Sequence, residues 1–190
     1  MIYGVGINDY EHTIKDGKKN IKSYVVWIDM LRRCYNTKNK NYSQYGGKKV
    51  KVCDEWLSFS NFKKWFDENY RFDLEKQGFR IELDKDLLGK NSKVYSPETC
   101  IFLPHNVNSH LIRTNNRNES KFPGCCWIKE RKKWRCQATE FGSGKLIFLG
   151  YYSDVEVCYS KFLEFKKKQI ESIKKYLISL GYKKEIVNKI

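Results

Sequence analysis

Lys133-Trp134-Arg135-Cys136-Gln137-Ala138-Thr139 alternates strictly between two kinds of side chain. Trp134, Cys136 and Ala138 fall on one side, and Arg135, Gln137 and Thr139 on the other, the period of two that belongs to a β-strand with one buried face. Before it, 124–128 reads as a strand, joined through a turn over 129–132. After it, Gly142-Ser143-Gly144 permits a second turn into a strand over 145–152. Ser153 or Asp154 then caps a helix whose apolar stripe includes Val155, Cys158, Tyr159, Phe162, Ile173 and Leu177. Three strands and one helix must bury their apolar sides on each other, so 121–190 is predicted to be a two-layer α+β domain. The tail beyond Leu180 reads as a short basic extension ending in a helical turn.

The polar side of that strand presents a cation, an amide and a hydroxyl in a row. Lys129, Arg131, Lys132, Lys133 and Lys145 flank them, the combination needed to contact base edges and phosphates together. The whole chain is basic: 37 Lys and Arg against 22 Asp and Glu leave +15, a field that attracts polyanions. With 41% apolar residues, 13 Tyr, 11 Phe and 5 Trp, the composition is that of a folded chain rather than a disordered one.

Upstream, Trp27, Met30, Leu31 and Cys34 recur at helical spacing within 21–35, and Phe62, Trp65 and Phe66 mark a second helix from Ser58 or Ser60 to Tyr70. Between them lie a polar loop and Tyr45-Gly46-Gly47, a tight turn before Val50, Val52 and Cys53. The middle reads as a strand over 79–88, a turn at 90–92, a return over 94–100 toward 101–103 and a helix opened by Pro104. The polar run 113–120 (RTNNRNES) reads as a linker. The expected division is therefore 1–112, the linker 113–120 and 121–190.

The runs Gly124-Cys125-Cys126-Trp127, Lys133-Trp134-Arg135, Leu149-Gly150-Tyr151-Tyr152 and Glu156-Val157-Cys158-Tyr159 leading to Phe162 resemble the plant ethylene-response-factor (APETALA) DNA-binding domain. They are closer to the version found in phage homing endonucleases and integrases. The resemblance covers about fifty residues. It implies that the three-stranded sheet lies in the major groove of double-stranded DNA with the helix behind it. Cys126 stands where many members carry a groove-facing Arg, Leu146 where another basic residue is common, and Cys158 at the usual small position of the helix.

Leu83-Asp84-Lys85-Asp86, Tyr95-Ser96-Pro97-Glu98-Thr99-Cys100-Ile101-Phe102-Leu103-Pro104 and then Asn108 resemble the HNH endonuclease core of phage and intron proteins. Trp27, Met30-Leu31-Arg32-Arg33-Cys34-Tyr35, Tyr45-Gly46-Gly47 and Val52-Cys53-Asp54-Glu55-Trp56 resemble the N-terminal region of such proteins. The resemblance implies a ββα layout in which a His activates water beside a metal held by His and Asn. The base position falls on Lys85, the middle Asn on Thr99 and the last Asn or His on Asn108, so the core is degenerate. A Lys with a pKa of ~10.4 is protonated at neutral pH and is a poor general base; it suits a phosphate contact better. Substitutes within the chain are Asp84 and Asp86, with Asn108, as ligands for Mg2+ or Mn2+, and His105 or His110 as base.

Seven cysteines, at 34, 53, 100, 125, 126, 136 and 158, form no CxxC pair and have no histidines at zinc-finger spacing, so they read as buried reduced thiols. No run of ~18 apolar residues spans a membrane and the opening residues do not form a signal peptide. These features imply a cytoplasmic protein, phage-encoded if the resemblances hold. Three functions follow: DNA binding by occupancy with no cofactor, metal-dependent DNA cleavage, and anti-defence binding of an acidic protein partner.

Overall fold

Trp27, Met30, Leu31 and Cys34 recur one turn apart, and all four are buried on one side of α1 (Lys22–Tyr35). That stripe meets the buried Phe59, Phe62 and Phe66 of α2 (Phe59–Asn69). Ser58 caps α2 by accepting the Asn61 N–H at 3.2 Å. Asp9 joins the same helix end, accepting from Ser58 Oγ at 2.6 Å and the Ser60 N–H at 2.9 Å. The indole Nε1 of Trp27 donates to the Trp56 carbonyl at 2.7 Å, so one of the largest buried rings is also satisfied. This is the core of the first of two compact units, Met1–Leu103 and Pro104–Ile190, into which the chain divides. The computed structural model describes residues 1–89, 92–111 and 121–190, and the expected linker 113–120 lies outside them.

The first unit carries small strand pairs: β1 (Lys15–Asp16) with β2 (Lys19–Asn20), β3 (Lys51–Val52) with β5 (Val94–Tyr95) in parallel, and β4 (Ile81–Asp84) with β6 (Ile101–Pro104). Two expectations are corrected here. The strand predicted over 79–88 stops at Asp84, because the Asp84 carboxylate accepts the N–H groups of Asp86 (3.0 Å) and Leu87 (2.8 Å) and opens the short helix α4 (Asp86–Gly89). The return predicted over 94–100 toward 101–103 is strand only at Val94–Tyr95, and β5 and β6 have different partners, split by a turn that Thr99 holds. Its Oγ1 donates to the Val94 carbonyl at 2.7 Å and accepts the Ser96 N–H at 3.0 Å. α3 (Phe72–Lys76) lies between α2 and β4 in the chain.

α5 (His105–Leu111) follows Pro104 directly, which preserves the strand, strand, helix order, but it groups with the second unit. There Lys166 Nζ donates to the His110 carbonyl at 3.4 Å and the His110 ring meets Phe141 edge-on. Within that unit stand the three strands and the helix predicted from the sequence. β7 (Cys125–Ile128), β8 (Lys133–Thr139) and β9 (Leu146–Tyr152) form an antiparallel meander, and α6 (Val155–Ser179), capped by Asp154, packs on one side. Gly124 has φ +78°, and a Cβ there would run into the Phe162 ring, so only glycine lets the helix sit this close. Beyond the sheet, α6 buries Ile173 and Leu177. The tail folds back as α7 (Lys184–Val187), with Tyr182 and Val187 buried. The protein is thus α+β, with several helices and small sheets.

Candidate nucleic-acid interface

Residues paired across antiparallel strands share a face, so the register sorts the sheet. Trp134 pairs with Trp127 and Tyr152, Cys136 with Cys125 and Gly150, and Ala138 with Ile147; these face α6. Arg135 pairs with Cys126 and Tyr151, Gln137 with Phe148, and Thr139 with Leu146 on the outer face. The division of β8 predicted from its alternation is the one observed. At Cys136/Gln137 the register shifts, so that Leu149 and Gly150 of β9 stand opposite Cys136 alone, a β-bulge with Gly150 at φ +131°.

Lys133, Arg135, Gln137 and Thr139 therefore stand in a row on the outer face, spanning about 20 Å at ~3.3 Å per residue. Lys129, Arg131 and Lys132 lie in and after the helical turn Lys129–Arg131 that joins β7 to β8. Lys132 closes that turn in the left-handed region at φ 49°, and all three side chains are exposed. The Arg131 guanidinium lies 4.8 Å from the centre of the Tyr151 ring, a cation–π contact that aims it along the outer face. Arg135 is half-buried, and its Nε is shielded from solvent without a hydrogen-bond partner. Lys145 is at the opposite end of β8, where its carbonyl accepts from the Glu140 N–H at 2.8 Å. Of the eight residues named from the sequence for DNA contact, four share the sheet face, three cluster at one end and one stands at the other.

Sequence reasoning missed Phe148 and Tyr151 on this face and reached Leu146 only through the resemblance, as a position where a basic residue is common. Phe148 is 56% and Leu146 64% exposed, and the Phe148 and Tyr151 rings lie 5.0 Å apart. Strict alternation would place Leu146 and Phe148 on the side of Tyr152, facing the helix. The bulge reverses them, and its one sequence signal is Gly150 inside a strand.

A second grouping is also new. The sulfur atoms of Cys125, Cys136 and Cys158, brought from β7, β8 and α6, lie within 4.8 Å of one another, the one cluster of three such donors found among the described residues. Three sulfurs suit a soft, thiophilic ion. Burial, however, pushes the Cys136 and Cys158 thiols up to about 12 and raises Cys125, so all three are protonated at neutral pH. Binding an ion would require expelling three protons, and three thiolates around a divalent ion leave a net negative charge in an apolar core. The three sulfurs could hold such an ion at that cost; without one they pack as small side chains under the helix. All seven cysteines are free thiols.

The residues that resemble a nuclease centre are engaged in local structure. Lys85 is 8% exposed, with Nζ 2.5 Å from Asp86 Oδ1 and 3.0 Å from the Ser92 carbonyl. The exposed phosphate-contacting lysine expected at this position is thus corrected: its charge is spent on a neighbouring carboxylate. Asp84 holds α4, and burial above all raises its pKa despite those two N–H groups. Asp86 pairs with Lys85, and the Thr99 hydroxyl holds its turn. His105 is exposed and Asn108 buried on α5, in the second unit. Burial, and after it the nearby Lys166, lowers the pKa of His110. Comparisons with family models, curated proteins and solved structures give no significant match. No helix among the described residues is long and apolar enough to cross a membrane.

Proposed function

We propose that this protein binds double-stranded DNA by laying the outer face of β7-β8-β9 in the major groove, acting by occupancy rather than by cutting. The carrying observation is the row Lys133, Arg135, Gln137, Thr139 on one sheet face, with Arg131 held against Tyr151 at its edge. Three strands at ~4.8 Å spacing make a surface roughly 10 Å across, which matches the ~12 Å major groove. Arg and Gln are the side chains that read guanine and adenine edges bidentately, while the turn lysines meet phosphates.

Occupancy is favoured over cleavage by the local commitments of the residues at the nuclease-like positions: Asp84 accepts two backbone N–H groups, Lys85 pairs with Asp86, and the Thr99 hydroxyl holds its turn. Such a protein would serve as a phage-type regulator or host-interference factor built on a homing-endonuclease plan. The test is fluorescence anisotropy of the full chain with labelled duplex DNA across a salt series, beside incubation of supercoiled plasmid with Mg2+ or Mn2+. Salt-sensitive binding with an intact plasmid is the expected result. Metal-dependent nicking would restore the nuclease reading, and no duplex binding at low salt would leave an acidic protein partner as the ligand of this surface.

A further inference from the structure

Resting on that reading, we infer that Phe148 and Leu146, beside Gln137 and Thr139, form a site for the 5-methyl groups of thymine, so that the preferred DNA is rich in A·T pairs at the sheet. Phe148 and Leu146 are among the large apolar side chains most open to water in the second unit, and both lie on the outer face with the basic residues. The bulge puts them there, because Leu149 and Gly150 together oppose Cys136 and turn Phe148 outward beside Tyr151. A Cβ on Gly150 would meet the Tyr152 hydroxyl at 2.8 Å, at a φ that other residues rarely adopt, so this glycine fixes which face carries the phenyl ring.

An apolar strip flanked by Lys133, Arg135 and Arg131 is matched to a partner that is anionic overall and apolar at one point. In the major groove the one apolar group on a base edge is the thymine methyl. Gln137 and Phe148 are direct cross-strand partners, with Cβ atoms ~5 Å apart by ordinary sheet geometry. An amide suited to adenine N6 and N7 thus stands beside a ring suited to a thymine methyl, and the pair can read the two halves of an A·T pair. Leu146, two residues along β9 and opposite Thr139, extends the strip toward the next step.

Uracil in place of thymine removes the methyl and leaves Watson–Crick pairing intact. Full-length protein is titrated with an alternating adenine–thymine duplex and with the same duplex made with deoxyuridine. The parent should lose about fourfold in affinity for each methyl no longer buried. Phe148→Ala should bind the two duplexes alike, and Leu146→Ala should lose part of the discrimination; both should keep the parent's circular dichroism, since these side chains are exposed. Equal binding of the two duplexes by the parent overturns this inference and leaves DNA binding standing. Discrimination that survives in both variants also overturns it. Failure to bind either duplex at low salt overturns the DNA-binding reading itself. Self-association of the parent that Phe148→Ala abolishes would assign the strip to a second copy of the chain instead.

Discussion

Asp84 is a carboxylate that burial pushes toward its protonated form while two backbone N–H groups hold it ionised. Its folded pKa stands above the unfolded value of ~3.9, so the stabilisation linked to it is complete below that value and is lost as pH rises through the folded one. Asn keeps the accepting oxygen and removes the buried charge. Asp84→Asn should therefore melt no lower than the parent at pH 7 and show a flatter rise of stability on acidification, whereas Asp84→Ala should cost about 1 kcal/mol through the lost cap. Thermal melts of the three proteins between pH 4 and pH 7 check this, and a lower melting point for Asp84→Asn at pH 7 would mean that the charge itself is needed. The neighbouring Lys85 carries the complementary lesson. A lysine in a polar run reads as exposed from sequence, because nothing local reveals that the chain folds Asp86 and the Ser92 carbonyl around its ammonium.

β8 was legible because its alternation runs unbroken and both neighbours keep register with it over Trp134, Arg135 and Cys136. α1 and α2 were legible for the same reason in the helical period. β9 was legible as a strand but not in its facing, since a bulge changes the facing of every residue beyond it and depends on the backbone at one glycine. The cysteine cluster was hidden likewise, as its members meet only when sheet and helix pack. The two faces of β8 should respond differently to truncation. Trp134→Ala removes a half-buried ring packed on Trp127 at 5.3 Å and should cost about 3 kcal/mol, the lower end for buried aromatics, so binding falls together with the melting temperature. Gln137→Ala should leave the melt nearly unchanged and cost ~1–3 kcal/mol of binding at the preferred sequence, with discrimination relaxed at one base pair. Arg135→Ala tests the same face. Its unpartnered Nε predicts that affinity falls with little loss of stability, and an early melt for both outer-face variants would mean that this surface is structural.

For the molecule as a whole, +15 of charge makes some attraction to any polyanion inevitable, so binding alone does not distinguish a docked sheet from diffuse electrostatics. Salt dependence does, residue by residue. Each phosphate neutralised adds about 0.9 to the slope of log affinity against log salt. If Lys129, Arg131, Lys132, Lys133, Arg135 and Lys145 each met a phosphate, the slope would be about −5. Arg135 reading a base edge or Lys145 lying beyond the contact would make it shallower. Lys132→Ala removes an exposed cation at the end of the sheet and, if the sheet face docks on DNA, should reduce the magnitude of the slope by about one. Lys85→Ala lowers the formal charge by the same amount, yet its ammonium is buried against Asp86. It should lower the melting temperature and leave the slope unaltered in the fraction that remains folded. Measured side by side, the two variants separate position from charge: equal reductions in slope would mean that net charge governs binding and that the sheet face has no special claim on the DNA.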